Sequence, residues 1–189
     1  MDATISTGAE VVTTEGILPY VFDVASFEDL YRAEYPGLVA VATALTGDFR
    51  AGEDLVQDTM VKALLRWRWL QNYGRPGAWC HRVLTNACRS WGRRRRTEMQ
   101  FWSRQRRGDA LVDGPSVEFL VFWQDVRRLQ IRPREEVALY YAGDRTMAEV
   151  ASILGVPDGT VRSDLSRARI VLAKEMGWND ADRSRPSAS

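Results

Sequence analysis

Cysteine and histidine are nearly missing from this 189-residue chain, which holds two of the first and one of the second. Cys80 and Cys88 are too few and too closely spaced for a disulfide framework or a zinc site, and both fall on an apolar helical face, which predicts buried thiols. His81 has no partner set around it, so a metal role is not expected. No apolar run approaches the length of a membrane span. The modest apolar patch from Ile17 to Phe22 lacks a basic segment before it, so the expected compartment is the cytoplasm and no membrane insertion is expected. Strand-like alternation and internal repeats are absent as well. So are a Gly-rich phosphate loop, a metal-ligand set and a carboxylate cluster on the basic surface, which argues against an enzyme and against any cofactor.

What remains is an all-α pattern with strongly segregated charge. Net charge is only +1, yet residues 1–61 hold 2 Lys/Arg against 11 Asp/Glu, residues 62–107 hold 13 against 1, and residues 108–189 hold 11 against 13. Such segregation in a nearly neutral chain points to separate surfaces for separate partners. The basic middle also carries five of the seven tryptophans. Arginine interleaved with large aromatics suits a groove that follows a phosphate backbone and stacks exposed bases.

Helical rhythm starts at Phe27 and runs through Leu30, Tyr31, Tyr35, Leu38, Val41, Ala42 and Leu45, with Ser26 as N-cap and Gly47 as terminator. Pro36 is expected to kink or split that helix. A second helix spans about Ala51 to Leu70, with Leu55, Val56, Met60, Ala63, Leu64 and Trp67 inward and Asp54, Gln57, Asp58 and Lys62 outward. The turn Asn72 to Gly77, which includes Tyr73 and Arg75, leads to a third helix ending near Gly92. This helix buries Cys80, Leu84, Ala87 and Trp91 and displays Arg82, Asn86, Arg89 and Arg93 as a separate stripe. The order is therefore a flexible lead over 1–26, a helical unit over 27–96, a linker over 97–115, a second helical unit over 116–176 and a tail over 177–189.

The second unit contains the strongest motif, from Thr146 to Lys174. Ala151, Gly155 and Val161 supply a small residue for a close crossing, a glycine for the turn and a branched anchor, the pattern of a helix-turn-helix with Asp158 or Thr160 as cap. Val161, Leu165, Ala168 and Leu172 form one buried stripe. Thr160, Arg162, Ser163, Ser166 and Arg167 lie on the other face, suited to phosphates and base edges in a major groove.

With those residues in place, the chain resembles the small bacterial sigma factors of the extracytoplasmic-function (ECF) type. EDLVQDTMVKAL (Glu53 to Leu64) is similar to the family's polymerase-binding helix. PGAWCHRVLTNACRSWGRRRR (Pro76 to Arg96) is similar to its promoter-opening and minus-ten-reading segment, and MAEVASILGVPDGTVRSDLSRAR (Met147 to Arg169) to its minus-thirty-five reader. The resemblance implies two small helical domains, sigma regions 2 and 4, joined by a flexible linker. It implies binding of core RNA polymerase through the clamp and the flap, with Asp54, Gln57, Asp58 and Lys62 on the clamp. It assigns Asn72, Tyr73, Arg75, Trp79, Arg82, Asn86, Arg89 and Arg93 to the minus-ten element as duplex opens to single strands. Thr160, Arg162, Ser163, Ser166 and Arg167 go to the minus-thirty-five duplex, and an anti-sigma factor is a further implied partner. Spacing alone would make the acidic patch an ordinary solvated helix face and Trp79 and Trp91 core residues. Asp164 stands where many members carry a basic residue, and QIRPREE (Gln130 to Glu136) strays from the usual leucine-proline pattern.

Three other readings compete. A stand-alone helix-turn-helix regulator leaves the Trp/Arg-rich middle and the acidic helix unexplained. A nucleic-acid enzyme lacks a catalytic constellation, and an anti-sigma or adaptor protein has no use for the basic helices.

Overall fold

The computed structural model describes residues 26–101 and 117–176. Residues 1–25 of the lead expected over 1–26, residues 102–115 of the linker expected over 97–115, residue 116 and the tail over 177–189 lie outside the described residues. Every element described is helical.

Helix α1 (Phe27–Thr46) begins where the Ser26 hydroxyl accepts from the Asp29 N–H at 3.1 Å. It ends at Gly47, which adopts the left-handed conformation (φ 73°) open to glycine and returns its N–H to the Thr43 carbonyl. Contrary to the expected break, α1 continues through Pro36. The proline removes one N–H bond, but Leu30 before it and Leu38, Val41 and Ala42 after it are all buried, and that shared burial outweighs the local defect. Helix α2 (Phe49–Leu65) is capped by Asp48 and crosses α1 where Gly52 lies so close to Thr43 that a Cβ would stand 3.1 Å from its backbone nitrogen. The single helix expected to reach Leu70 breaks at Arg66, and a short α3 (Trp67–Leu70) follows.

Helix α4 (Pro76–Phe101) runs nine residues beyond the end expected near Gly92, so the first residues of the expected linker are helical. Nothing crowds Gly92, and the arginines after it are strong helix formers. Helices α1, α2 and α4 bury Leu30, Leu38, Val56, Met60, Cys80, Leu84 and Cys88 between them. Burial pushes both thiols up to about 12, so they behave as apolar side chains at neutral pH.

The second unit starts with α5 (Val117–Val126) and α6 (Ile131–Val137), the latter widening into a π-helical turn (Ala138–Ala142). Helices α7 (Met147–Leu154) and α8 (Asp158–Met176) complete it. The expected cap at Asp158 or Thr160 is replaced by a different arrangement. Asp158 is the first helical residue of α8, and the Pro157 carbonyl accepts from the Thr160 and Val161 N–H groups. The strong cap lies upstream, where Thr146 and Glu149 close a reciprocal capping box on α7.

The two units do not stand apart. One apolar core runs through both, from Leu30 to Leu172. Gly143 packs onto α1 so tightly that a Cβ there would lie 2.8 Å from Val41 Cγ2. Beside it is a buried charged cluster: Arg145 donates to Glu34 Oε2 at 2.8 Å, and His81 Nε2 sits 3.3 Å from that same oxygen. Burial alone would raise the Glu34 pKa, but hydrogen bonding to His81 and the charge of Arg145 hold it below the ordinary carboxylate value. Burial keeps the His81 imidazole neutral, with its pKa below the usual value.

Glu136 is the exception to this pairing. It is fully buried on α6 and neither carboxyl oxygen has a hydrogen-bond partner. Burial, with Asp164 nearby, lifts its pKa to about 7 from an ordinary 4.5. A raised carboxyl pKa means that the folded state takes up a proton between about pH 7 and 4.5 that the unfolded chain does not. This group therefore adds stability as pH falls through that window and lowers it above pH 7. Glu136→Gln should raise the thermal midpoint at pH 8 by a few degrees and flatten the pH dependence, as read by circular dichroism. A lower midpoint at pH 8 would mean that the carboxylate has a stabilising partner.

Candidate nucleic-acid and partner interface

Three surfaces carry the residues singled out by sequence. On α2, Asp54, Gln57, Asp58 and Lys62 are all exposed along one face, at spacings of three, one and four. The stripe does not end with the charges. Val61 (55% exposed), Leu64 (53%) and Leu65 (80%) continue it toward Trp69. Leu64 was expected inward, but the break at Arg66 ends the helix before its last turn can be covered, and Leu64 and Leu65 instead line an open hollow with Arg66, Arg68 and Trp69. The exposed apolar extension was legible only as surplus leucine at the helix end.

The second surface surrounds the Asn72–Gly77 turn and the N-terminal half of α4. Asn72, Tyr73, Gly74, Arg75, Ala78, Trp79 and Arg82 line a hollow of about 300 Å³, and Ser152 of α7 forms its far wall. Trp69 stacks on Tyr73 with ring centroids 4.9 Å apart and meets Trp79 edge-on at 6.4 Å. Aromatic faces and guanidinium groups around a base-sized hollow suit stacking of an unpaired base. Further along α4, Asn86, Arg93 and Arg82 are exposed and Arg89 is half-buried. Asn86 accepts from Arg89 (3.3 Å) and Arg93 donates to the Ser90 hydroxyl (2.9 Å), whereas Arg82 and Arg89 also reach partners in the second unit. Arg82 donates through Nε to the Ile153 carbonyl (2.9 Å) and through Nη2 to that of Ser152 (2.6 Å). Arg89 makes a two-pronged pair with Glu135, which raises the arginine's pKa further. Trp91, expected inside, is only half-buried and lies under the Arg95 guanidinium at 5.1 Å.

The third surface is the outer face of α8. Gly155, left-handed at φ 69°, turns the chain between α7 and α8, and Val161, Leu165, Ala168 and Leu172 bury the inner stripe as the periodicity predicted. Arg162, Ser166 and Arg167 are exposed, and Thr160 and Ser163 are half-buried, the Ser163 hydroxyl donating to the Thr160 carbonyl. Asp164 pairs with Arg167 at 3.1 Å, so the departure from a basic residue has a local structural use. Arg169 is held by the Tyr141 hydroxyl at 2.7 Å. Among the described residues no helix is long and apolar enough to cross a membrane.

A helix-turn-helix with a polar outer face packs beside an arginine- and tryptophan-lined hollow, a pair of surfaces whose chemistry suits nucleic acid. Comparison with known proteins specifies the family. The chain matches the family model for Sigma-70 region 2 over residues 30–98 and that for Sigma-70, region 4 over residues 125–172. It is 31% identical over 152 residues to the ECF RNA polymerase sigma factor EcfG of Rhodopseudomonas palustris, covering 78% of this chain and 83% of that one. A probable sigma factor, RfaY, of Xanthomonas campestris is 29% identical over 152 residues, 74% of this chain but only 37% of that longer one. Among solved structures, the sigma factor RpoE of Bartonella quintana, determined with the anti-sigma factor NepR, is similar at TM-score 0.67 and 28% identity over 83% of this chain and 98% of that one. The chain belongs to the sigma-70 family, in its ECF branch.

The exposure of Leu65 has a direct consequence for folding. Leu65→Gln should change the unfolding free energy by less than about 0.5 kcal/mol in denaturant titration. A loss above about 2 kcal/mol would mean that the side chain is covered.

Proposed function

We infer that this chain is an alternative sigma factor: it binds core RNA polymerase and directs promoter recognition, DNA melting and the start of transcription. The observation that carries the reading is the combination, within one matched family architecture, of an outward acidic-to-apolar face on α2, an aromatic hollow at the head of α4 and a free polar face on α8. In this reading Asp54, Gln57, Asp58 and Lys62, continued by Val61, Leu64 and Leu65, meet the clamp of the polymerase. Carboxylates beside exposed leucines favour a partner surface that is itself basic and apolar. The hollow takes a base of the minus-ten strand between Tyr73, Arg75 and Trp79, while Arg82, Asn86, Arg89 and Arg93 follow the backbone. Arg162, Ser163, Ser166 and Arg167, with Thr160, read the upstream major groove. An anti-sigma partner belongs to the same reading, supported by the complex in which the Bartonella relative was solved.

No step needs bond chemistry from the protein. Each base stacked on an aromatic face contributes on the order of 1–3 kcal/mol, and several such contacts offset the cost of unpairing a short duplex segment. The stand-alone regulator is the weaker reading because it gives the exposed leucines of α2 and the aromatic hollow nothing to do.

Run-off transcription with purified core polymerase on a promoter library tests this directly: addition of the chain should select a subset of promoters, and use no greater than with core alone would overturn the reading. Asp58→Arg should weaken association with core polymerase in a pull-down while leaving upstream duplex binding intact, and equal loss of both would indicate unfolding instead. Arg162→Ala should shift upstream sequence preference by roughly 1–3 kcal/mol in competition binding, and an unchanged preference would remove Arg162 from the reading surface.

A further inference from the structure

At the corner where α1 turns into α2, arginines from three other elements converge, and among the described residues no carboxylate forms an ion pair with them. Arg127, in the turn that closes α5, lays its guanidinium over Gly47, where an added Cβ would stand 2.7 Å from Arg127 Cζ. Arg134 on α6 is near enough for its charge to act on Arg127, and Arg96 on α4 acts on Arg134 in the same way. Arg127 Nη1 and Arg134 Nε are both buried without a hydrogen-bond partner. Arg134 spends a different nitrogen, Nη2, on the Leu129 carbonyl at 2.8 Å.

The neighbouring carboxylates are committed elsewhere. Glu135 takes the fork of Arg89, and Asp125 pairs with Arg128 at 2.9 Å. Asp48 caps the Ala51 N–H at 3.0 Å, and Arg95 approaches it at 3.8 Å. Burial and like charge lower the pKa of Arg127 and Arg134, yet a guanidinium stays charged at neutral pH. Half-buried cations set side by side with donors unspent are costly, and an anion among them removes that cost.

We propose that Arg96, Arg127 and Arg134 form a binding site for the terminal phosphate or diphosphate group of a small molecule. A guanidinium pairs with two phosphate oxygens at once, and donors drawn from three elements surround such an anion on several sides. A nucleic-acid backbone offers the same chemistry, but each of its phosphates is flanked by sugars and meets donors that stand out from a surface. Arg127 and Arg134 lie half-buried in a corner, which a terminal group enters more readily. None of the residues assigned to the clamp, the opened strand or the upstream duplex takes part, so the site is independent of those surfaces.

Calorimetry on the full chain, with sodium pyrophosphate and with inorganic phosphate at constant ionic strength, reads the site directly. Wild type should bind one pyrophosphate with a Kd below about 1 mM, and phosphate more weakly. Arg127→Gln should weaken pyrophosphate binding by roughly tenfold or more. Arg96→Gln, at an exposed position, should weaken it several-fold, and Arg94→Gln, exposed on the same basic run but outside the cluster, should leave it unchanged. A labelled random duplex pool separates the two sources of phosphate: its affinity should be the same for wild type and Arg127→Gln. Absence of pyrophosphate binding would overturn the proposal. So would equal weakening by Arg94→Gln and Arg96→Gln, the mark of diffuse attraction to basic surface. Loss of duplex affinity in Arg127→Gln would make these arginines backbone contacts and overturn it as well. Should Arg127→Gln fold poorly, Arg96→Gln decides, because unchanged pyrophosphate binding there contradicts a three-arginine site.

Discussion

A single buried carboxylate, that of Glu34, ties the molecule together. It lies on α1 and meets His81 on α4 and Arg145 in the turn before α7. A carboxylate without water must be paired or protonated, and here the arginine comes from the other half of the chain. The glycine at the head of α4, Gly77, fits over this carboxylate because it has no Cβ to collide with it. The position of the helix-turn-helix relative to the tryptophan-lined hollow follows from this cluster and the apolar core around it. So does the proximity of α7 to Arg82.

Because the cluster draws its cation from one unit and its anion from the other, the same groups that stabilise the packed arrangement make it sensitive to whatever separates the units. Sign matters for its pH behaviour. Glu34 has a lowered pKa, so its contribution is present above the ordinary carboxylate range and fades as pH falls through the folded-state value. His81, also lowered, adds stability while neutral, and that stability fades as pH falls below its ordinary value of 6.5, where the unfolded chain takes up a proton first. Glu136 runs in the opposite direction, favouring the folded state as pH falls below about 7.

Much of the architecture was legible in the residues. The stripe Val161, Leu165, Ala168 and Leu172, the turn glycine Gly155 and the buried thiols all follow from periodicity and residue chemistry. Helix ends were harder. Pro36 did not break α1, Gly92 did not end α4, and Leu64 turned outward, each because packing or its absence overrode a local signal. The pairings of Arg82 with α7 and of Arg89 with Glu135 were invisible, since they join residues 70 and 46 positions apart and leave no periodic trace. An arginine stripe that suits a phosphate backbone suits a carboxylate equally well, and only the three-dimensional neighbours distinguish them. The acidic face of α2 was readable as a pattern, but its apolar continuation was not.

The central claim is that one chain grips duplex with α8 and holds an opened strand at the head of α4 once the polymerase is bound. Permanganate footprinting of a promoter selected with this chain tests that most directly, because unstacked thymines react and paired ones do not. Polymerase carrying the chain should render thymines downstream of the α8 contact reactive, with core polymerase alone leaving them silent. Protection upstream without reactive thymines downstream would contradict the claim and leave only a duplex-binding protein.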